Sequence, residues 1–559
     1  MPDGSTRQSM LRARFALLLA VAAVIVAIGL SGCGDASSPS PAHWLAGPVA
    51  RLTGPVAMFQ EPARMLIDPA GTLATLRSLG VGVVRMQMQW QLVAPDPSSA
   101  TRPPGFDAAD PAAYGTAWGP FDAIVTDAHR EHIPVDFLLA GGAPLWATGA
   151  GAPPGPSRLY WEPSAAEYGQ FVHAVAKRYS GRYRPCPSCA PLPRVSFWEI
   201  WNEPNFGGDL APQATSGSTV STSPKLYRSL LDAGWEALGS TGHGDDTIVI
   251  GSLSPRGFKG PASHRFPQGL PGYFSTTKPL QFLRTLYCLG SDYRALSGTT
   301  AAALGCPTSA SGSQRFRSDH PALFSASGFG IHPYPFDLPP DRVDSEDRDY
   351  AELAQLPRLA TTLDRLQQAY GSRTRLQIYN TEFGYITDPP NDTLHYGRHF
   401  LSPAQAADYI NWAEYLTWRN PRLATTMQYL LYDPAPTAGG FATGLLTDTG
   451  GQKATYGAYR MPLYLPGSTA APGHPLEVWG CLRPAPTVAG RQSVRIEFER
   501  GSAGPFTTIA TVPITSPRGY FDVRVKFPAS GTVRLAWRYP SGQTILSRDA
   551  PVTVTSATP

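Results

Sequence analysis

The chain predicts an α/β fold, a parallel (β/α)8 barrel, followed by a small C-terminal β-sandwich. Three observations predict it. Apolar strand-like runs alternate with helix-length segments through most of the chain, the pattern of βα units. Two of those runs end abruptly in carboxylates, at Asn202-Glu203-Pro204 and at Thr381-Glu382-Phe383-Gly384. After about residue 470 the pattern changes to short alternating strands separated by Gly, Pro and Ser.

The first strand is expected at 56–60. A helical segment at 72–79 leads to a second strand at 81–90, which contains Arg85 and ends in Trp90. A helix over 121–132 feeds strand three at 133–139, whose exit, Ala143-Pro144-Leu145-Trp146, puts an aromatic at the barrel mouth. The helix at 165–179 precedes strand four, where Val195, Phe197, Trp198 and Ile200 run into Trp201-Asn202-Glu203-Pro204. Strand five is expected at 247–253, strand six at 328–336 and strand seven around Leu376, Ile378 and Tyr379. Strand eight is expected at 425–432. In such barrels the working residues sit at the C-terminal ends of the strands, and both carboxylates fall there.

Buried strands seldom end in an amide, a carboxyl and a proline unless those side chains have work to do. Glutamate is rarely buried without a partner, and Trp198 and Trp201 close before Glu203 suggest an aromatic cleft. That setting raises a carboxyl pKa, as a general acid acting near neutral pH requires. Two glutamates at two strand ends match glycoside hydrolysis, in which one protonates the leaving oxygen. The other attacks the anomeric carbon or activates water. Gly384 after Glu382 is expected to permit a tight exit from strand to loop.

The Trp-Asn-Glu-Pro and Thr-Glu-Phe-Gly segments resemble clan A glycoside hydrolases, retaining enzymes on a (β/α)8 barrel, with wording most similar to families 5 and 39. The resemblance implies Glu203 as acid/base, Asn202 as the amide that binds the sugar 2-hydroxyl, and Glu382 as nucleophile. It also implies that Arg85 contacts the nucleophile and keeps it ionised. His332 and Tyr334 (in Gly-Phe-Gly-Ile-His-Pro-Tyr-Pro-Phe) would orient substrate and nucleophile. Trp90, Trp146, Trp201, Tyr334, Tyr385 and Tyr432 are candidates for stacking on sugar faces. At strand eight the chain departs from the family pattern: Leu430-Leu431-Tyr432 stands where a tryptophan commonly floors the central subsite. Residues 444–456 resemble the family's barrel-closing stretch. Each residue also has a plainer reading: Glu382 as an ion-pair partner, Arg85 as a barrel salt-bridge residue, His332 as hydrogen-bonded core, half the aromatics as packing. The implied activity is hydrolysis of O-glycosidic bonds without a cofactor or metal. The alternatives are a transglycosidase with the same residues, or a glycan-binding lipoprotein without catalysis.

The N-terminus reads as an export signal, residues 1–32. Arg7, Arg12 and Arg14 precede the apolar run 15–30, which meets Leu30-Ser31-Gly32-Cys33. This resembles a bacterial lipobox, which implies acylation of Cys33 and an anchor on the outer face of the cell membrane. An ordinary signal peptide or a short spanning anchor are the alternatives; a spanning helix needs ~20 apolar residues. Residues 33–47 form a polar tether. The expected domains are then a barrel over 48–468 and a β-sandwich over 474–559, the latter resembling a fibronectin type III or immunoglobulin-like module. A spacer or packing role is expected of it, with carbohydrate binding as the alternative.

Of the six cysteines, five follow Cys33 at a distance. In an exported protein they suggest disulfides. Cys186 and Cys189 lie in a proline-rich insertion and read as a loop staple. Cys288 and Cys306 would close a second loop, leaving Cys481 unpaired. A zinc site built from the first four is the alternative. With 16% charged and 42% apolar residues the chain is globular, and its formal net charge of +4 comes without a basic stripe interleaved with aromatics. Nothing in it points to nucleic acid.

Overall fold

Eight short strands, almost wholly buried, form one parallel sheet. They are β1 (Val56–Gln60), β2 (Val83–Gln89), β3 (Val135–Ala140), β4 (Phe197–Ile200), β5 (Thr247–Leu253), β6 (Gly328–Ile331), β7 (Gln377–Asn380) and β8 (Thr425–Tyr429). The order is β7-β6-β5-β4-β3-β2-β1-β8. Ile378 closes it, donating to the Arg422 carbonyl at 2.7 Å and accepting from Ala424 N–H at 2.9 Å. The expected barrel is therefore present. The computed structural model describes residues 54–153, 155–214, 221–257, 274–343, 347–389, 400–436, 441–484, 490–501 and 504–555. The expected signal, Cys33 and the tether lie outside the described residues. Among the described residues no helix is long and apolar enough to cross a membrane.

A helix follows every strand: α1 (Pro69–Ser78), α2 (Gly119–Arg130), α3 (Ala165–Arg178), α4 (Ser223–Ser240), α5 (Pro279–Leu286), α6 (Leu356–Ala369), α7 (Pro403–Arg419) and α8 (Ala454–Arg460). Their starts are chemically marked. Ser164 caps α3 by accepting Glu167 N–H, and Ser402 caps α7 by accepting Gln405 N–H, with proline in the first turn of α7. Each helix buries one stripe against the sheet; in α2 it is Phe121, Ile124, Val125 and Ala128, the spacing of a single helical face.

Three strands are shorter than their sequence suggests. β2 ends at Gln89 because Trp90 opens a helical turn (Trp90–Val93), β6 ends at Ile331 before His332, and β8 ends at Tyr429. Each truncation releases side chains into the mouth that a longer ladder would have kept in the wall. Gly384 also differs from expectation. Its φ is not in the left-handed region; instead, a Cβ there would lie 2.6 Å from the Tyr429 carbonyl and 2.8 Å from Thr443 Cβ. Close approach of two loops, not a turn, demands the glycine.

The chain leaves the barrel through β9 (Leu463–Tyr464), inside the stretch assigned above to it, and then forms two further sheets. One joins β10 (Thr469–Ala470), β17 (Ala550–Val554), β15 (Gly531–Arg538), β12 (Gln492–Arg500) and β13 (Thr507–Ile514), with β16 (Thr544–Leu546) on β15. The other joins β14 (Tyr520–Val525), β11 (Leu476–Cys481) and β9. Val478, Leu482 and Phe521 from the second pack with Ile496, Phe498, Val533 and Trp537 from the first in one apolar cluster. This unit sits on α7. Trp479 lies 5.7 Å from Tyr415 and 5.8 Å from Tyr520, ring to ring. Buried Glu414 pairs with Arg483 and accepts Tyr520 OH at 2.7 Å.

Cys186–Cys189 and Cys288–Cys306 are disulfides, and Cys481 is free and buried. The zinc alternative is overturned, because all four candidate sulfurs are spent on each other.

Candidate active site

Arg85 is the hub. It lies on β2, fully buried, and every N–H of its guanidinium has a partner. Nε and Nη2 donate to Glu199 at 2.8 Å each; Nη1 donates to Gln60 at 2.5 Å and to Glu382 at 2.6 Å. Nη2 also donates to Asn202 Oδ1 at 3.0 Å. Burial alone would lower its pKa, but Glu199 above all, then Glu382 and Asp136, hold it above the ordinary value. The cation is permanent. Asp136 on β3 feels the reverse: burial first, then the charge of Glu199, pushes its carboxyl well up against the pull of Arg85.

Glu203 stands three residues past the end of β4, on a strained turn. Trp201 has φ 68° and Glu203 φ 35°, both in the left-handed region that costs side-chain-bearing residues about 1–3 kcal/mol. Hydrogen bonds over-determine the turn. Glu203 N–H donates to the Ser252 carbonyl at 3.0 Å, Trp201 N–H to Leu139 at 3.2 Å, and Trp201 Nε1 to the Asp209 carbonyl at 3.0 Å. Asn205 clamps this loop to the one after β5, accepting Ser254 N–H at 2.9 Å and donating to the Ser254 and Thr277 carbonyls. Neighbouring Asn202 is committed at both ends of its amide, since Nδ2 donates to Asp209 at 2.5 Å.

His332 follows β6 and places Nδ1 2.8 Å from Glu203 Oε1. Burial, then the nearby charge of Arg85, holds its pKa well below the usual 6.5, so the ring is neutral at physiological pH. The unfolded chain takes that proton first on acidification. Stability from the neutral ring is therefore complete above pH 6.5 and is lost as pH falls from there toward the depressed folded value. His332→Asn, which cannot titrate, should flatten the decline of Tm below pH 6.5. Equal slopes for both proteins would refute this.

Glu382 lies two residues past β7 and is 6% exposed. Besides Arg85 it receives the Tyr334 hydroxyl, 3.4 Å from Oε2. Both glutamates, Arg85, Asn202, His332 and Tyr334 thus converge at one end of the barrel. The aromatics divide. Trp90 is fully buried and stacked on Phe171 at 5.6 Å, in the wall. Trp201 and Tyr385 are also buried, the latter donating to the Leu338 carbonyl at 3.0 Å. Trp146 and Tyr432 are half-buried; Arg64 lies 4.5 Å above the Tyr432 ring. Half-buried Tyr429 and Phe441 join them from around β8.

Sequence reasoning passed over Glu199, Asp136, Gln60, Ser252 and Glu61. Glu61 binds the N–H groups of Leu431 and Tyr432 at 3.0 Å each, pinning the loop after β8. For Glu199 and Asp136 a signal existed: each is a carboxylate in the middle of an apolar strand, which demands a cation, and Arg85 was already in view. For the others no pattern marks them.

Solved glycoside hydrolases are among its structural neighbours. A family 39 glycoside hydrolase from Bacteroides cellulosilyticus WH2 is 15% identical with a TM-score of 0.44, over 86% of this chain and 81% of that one. A glucosidase from Croceicoccus marinus is 14% identical with a TM-score of 0.45, over 86% and 95%. A family 1 β-glucosidase from Thermotoga maritima is 14% identical with a TM-score of 0.40, over 70% and 84%. No protein-family profile matches the chain, and no curated protein matches it. The functional reading rests on the side chains at the barrel mouth. Among the described residues no cluster of three His, Cys, Asp or Glu is arranged to hold a metal.

Proposed function

We propose that this protein is a retaining glycoside hydrolase acting on an oligo- or polysaccharide. The observation that carries the reading is the pairing of two buried glutamates at different strand ends with unlike partners. Glu382 is held by a permanent cation, Arg85, and Glu203 by a neutral imidazole, His332. A nucleophile must stay ionised and an acid/base must take up and release a proton; these partners suit those roles.

In the proposed cycle Glu382 attacks the anomeric carbon while Glu203 protonates the leaving oxygen. Glu203 then deprotonates the water that releases the sugar. Retention requires the two carboxyl groups about 5–5.5 Å apart. Asn202 would meet the 2-hydroxyl by exchanging one of its present partners, and Trp146, Tyr432, Tyr429 and Phe441 would stack on sugar faces. The C-terminal unit is read as a β-sandwich serving as spacer or packing module.

The test is a panel of aryl glycosides and polysaccharides, with the anomer of the first product read by NMR. Turnover with the substrate's configuration retained is expected. Inverted product would refute the mechanism; glycan binding without turnover would make the protein a binder. Transfer to sugar acceptors in preference to water would make it a transglycosidase.

From the sequence alone we also infer export and a lipid anchor at Cys33. Fatty-acid labelling of the expressed protein should be lost in Cys33→Ser, with release from the membrane fraction. Labelling that persists would sink this.

A further inference from the structure

Glu199 has no place in the cycle above, yet it is fully buried at the centre of the site, on β4. It meets Arg85 side-on with two 2.8 Å hydrogen bonds, the bidentate geometry of a strong pair. Ser252 Oγ donates to the same carboxylate. Ser252 belongs to an irregularity in β5, where Gly251 has φ 102° and a Cβ on it would lie 2.4 Å from the Phe329 ring. The Ser252 carbonyl at that irregularity is the acceptor of Glu203 N–H. One buried carboxylate therefore touches the supports of both glutamates.

We propose that Glu199 is a positioning residue, holding Arg85 in place beside Glu382 and offsetting part of its charge there, while Ser252 ties it to the turn that carries Glu203. This rests on the glycosidase reading for its consequence in catalysis, but not for the electrostatics. The groups facing Glu199 are Arg85 from β2, Asp136 from β3, Ser252 from β5, and the phenols Tyr168 from α3 and Tyr227 from α4. Glu382 lies beyond Arg85. Arg85 reaches Glu382 through Nη1 and Glu199 through Nε and Nη2, and a charge on Glu199 offsets at Glu382 part of what Arg85 supplies. This offset keeps Glu382 ionised without making it too weak a base to attack.

Neutralising Glu199 should leave the charge of Arg85 unopposed by it at Glu382. Asp136 could ionise in its place, so Glu199→Gln is also made with Asp136→Asn. The readout is the 13C titration of the Glu382 carboxyl, assigned with Glu382→Gln; it needs no turnover. In the Asp136→Asn background the Glu382 midpoint should fall by about half to one pH unit on Glu199→Gln, the direction expected when a like charge lying beyond Arg85 is removed. The acid limb of kcat/KM should follow it. Glu199→Asp, which keeps the charge but shortens the reach, should fall between the two and serves if the amide variant does not fold. A Glu382 midpoint that stays in place or rises in these variants overturns the proposal, even if they are less stable. Absence of wild-type turnover would instead sink the glycosidase reading and leave the titration intact.

Discussion

Glu203→Ala and Glu382→Ala should each lose most of the activity on an aryl glycoside, and azide should restore it with opposite stereochemistry. Removing a positioned acid/base costs about 10²–10⁴-fold, and removing the nucleophile abolishes the covalent path. With Glu382 gone, azide can enter the space of the carboxylate and attack the anomeric carbon directly. One displacement inverts the product. With Glu203 gone, a good leaving group still departs without protonation and the glycosyl-enzyme forms on Glu382. Azide, which needs no general base, then attacks that intermediate, and two displacements retain configuration. The measurement is the anomeric NMR signal of the glycosyl azide from each variant. The same configuration from both would refute the assignment of roles, and loss of activity from only one variant would refute the two-carboxylate site.

Arg85→Leu should damage stability and chemistry together. The guanidinium is buried and pairs with both Glu199 and Glu382; its loss leaves carboxylates in the barrel without a cation. Breaking a buried pair from one side costs about 3–5 kcal/mol, which urea denaturation would register. The surviving Glu382 should also become harder to ionise, moving the acid limb of kcat/KM upward, opposite to Glu199→Gln. Arg85→Lys keeps the charge but not the five-donor fork that serves Glu199, Gln60, Glu382 and Asn202 at once. It should recover stability better than activity. An Arg85→Leu protein as stable as wild type would mean that Arg85 does not hold the site.

The two kinds of residue in this site differ in how visible they were beforehand. Glu203 and Glu382 interrupt apolar strands at their ends, and a carboxyl after a buried run is conspicuous because burial there needs a reason. Arg85 was marked only by the resemblance to clan A glycoside hydrolases. Gln60, Ser252 and Glu61 did not, because a polar residue at a strand end is ordinary until its partner is known. Trp90 shows the converse error. Its place at the end of β2 suggested the mouth, but a helical turn begins at that residue and stacks the ring on Phe171 in the wall. Gly384 reads as a turn in one dimension and is a loop contact in three.

By itself the sequence determined the alternation of strands and helices, the change to β structure near the C-terminus, and which two carboxylates end apolar strands. Those follow from local periodicity and from the cost of burying charge, both written along the chain. Only the tertiary structure decided that Arg85 spans Glu199 and Glu382, that His332 faces Glu203, and that Ser252 links the β4 and β5 loops. These partners are 49 to 297 residues apart in the chain where hydrogen bonds join them. Closure of the barrel brings them within 3 Å, and no local pattern encodes a distance of that kind.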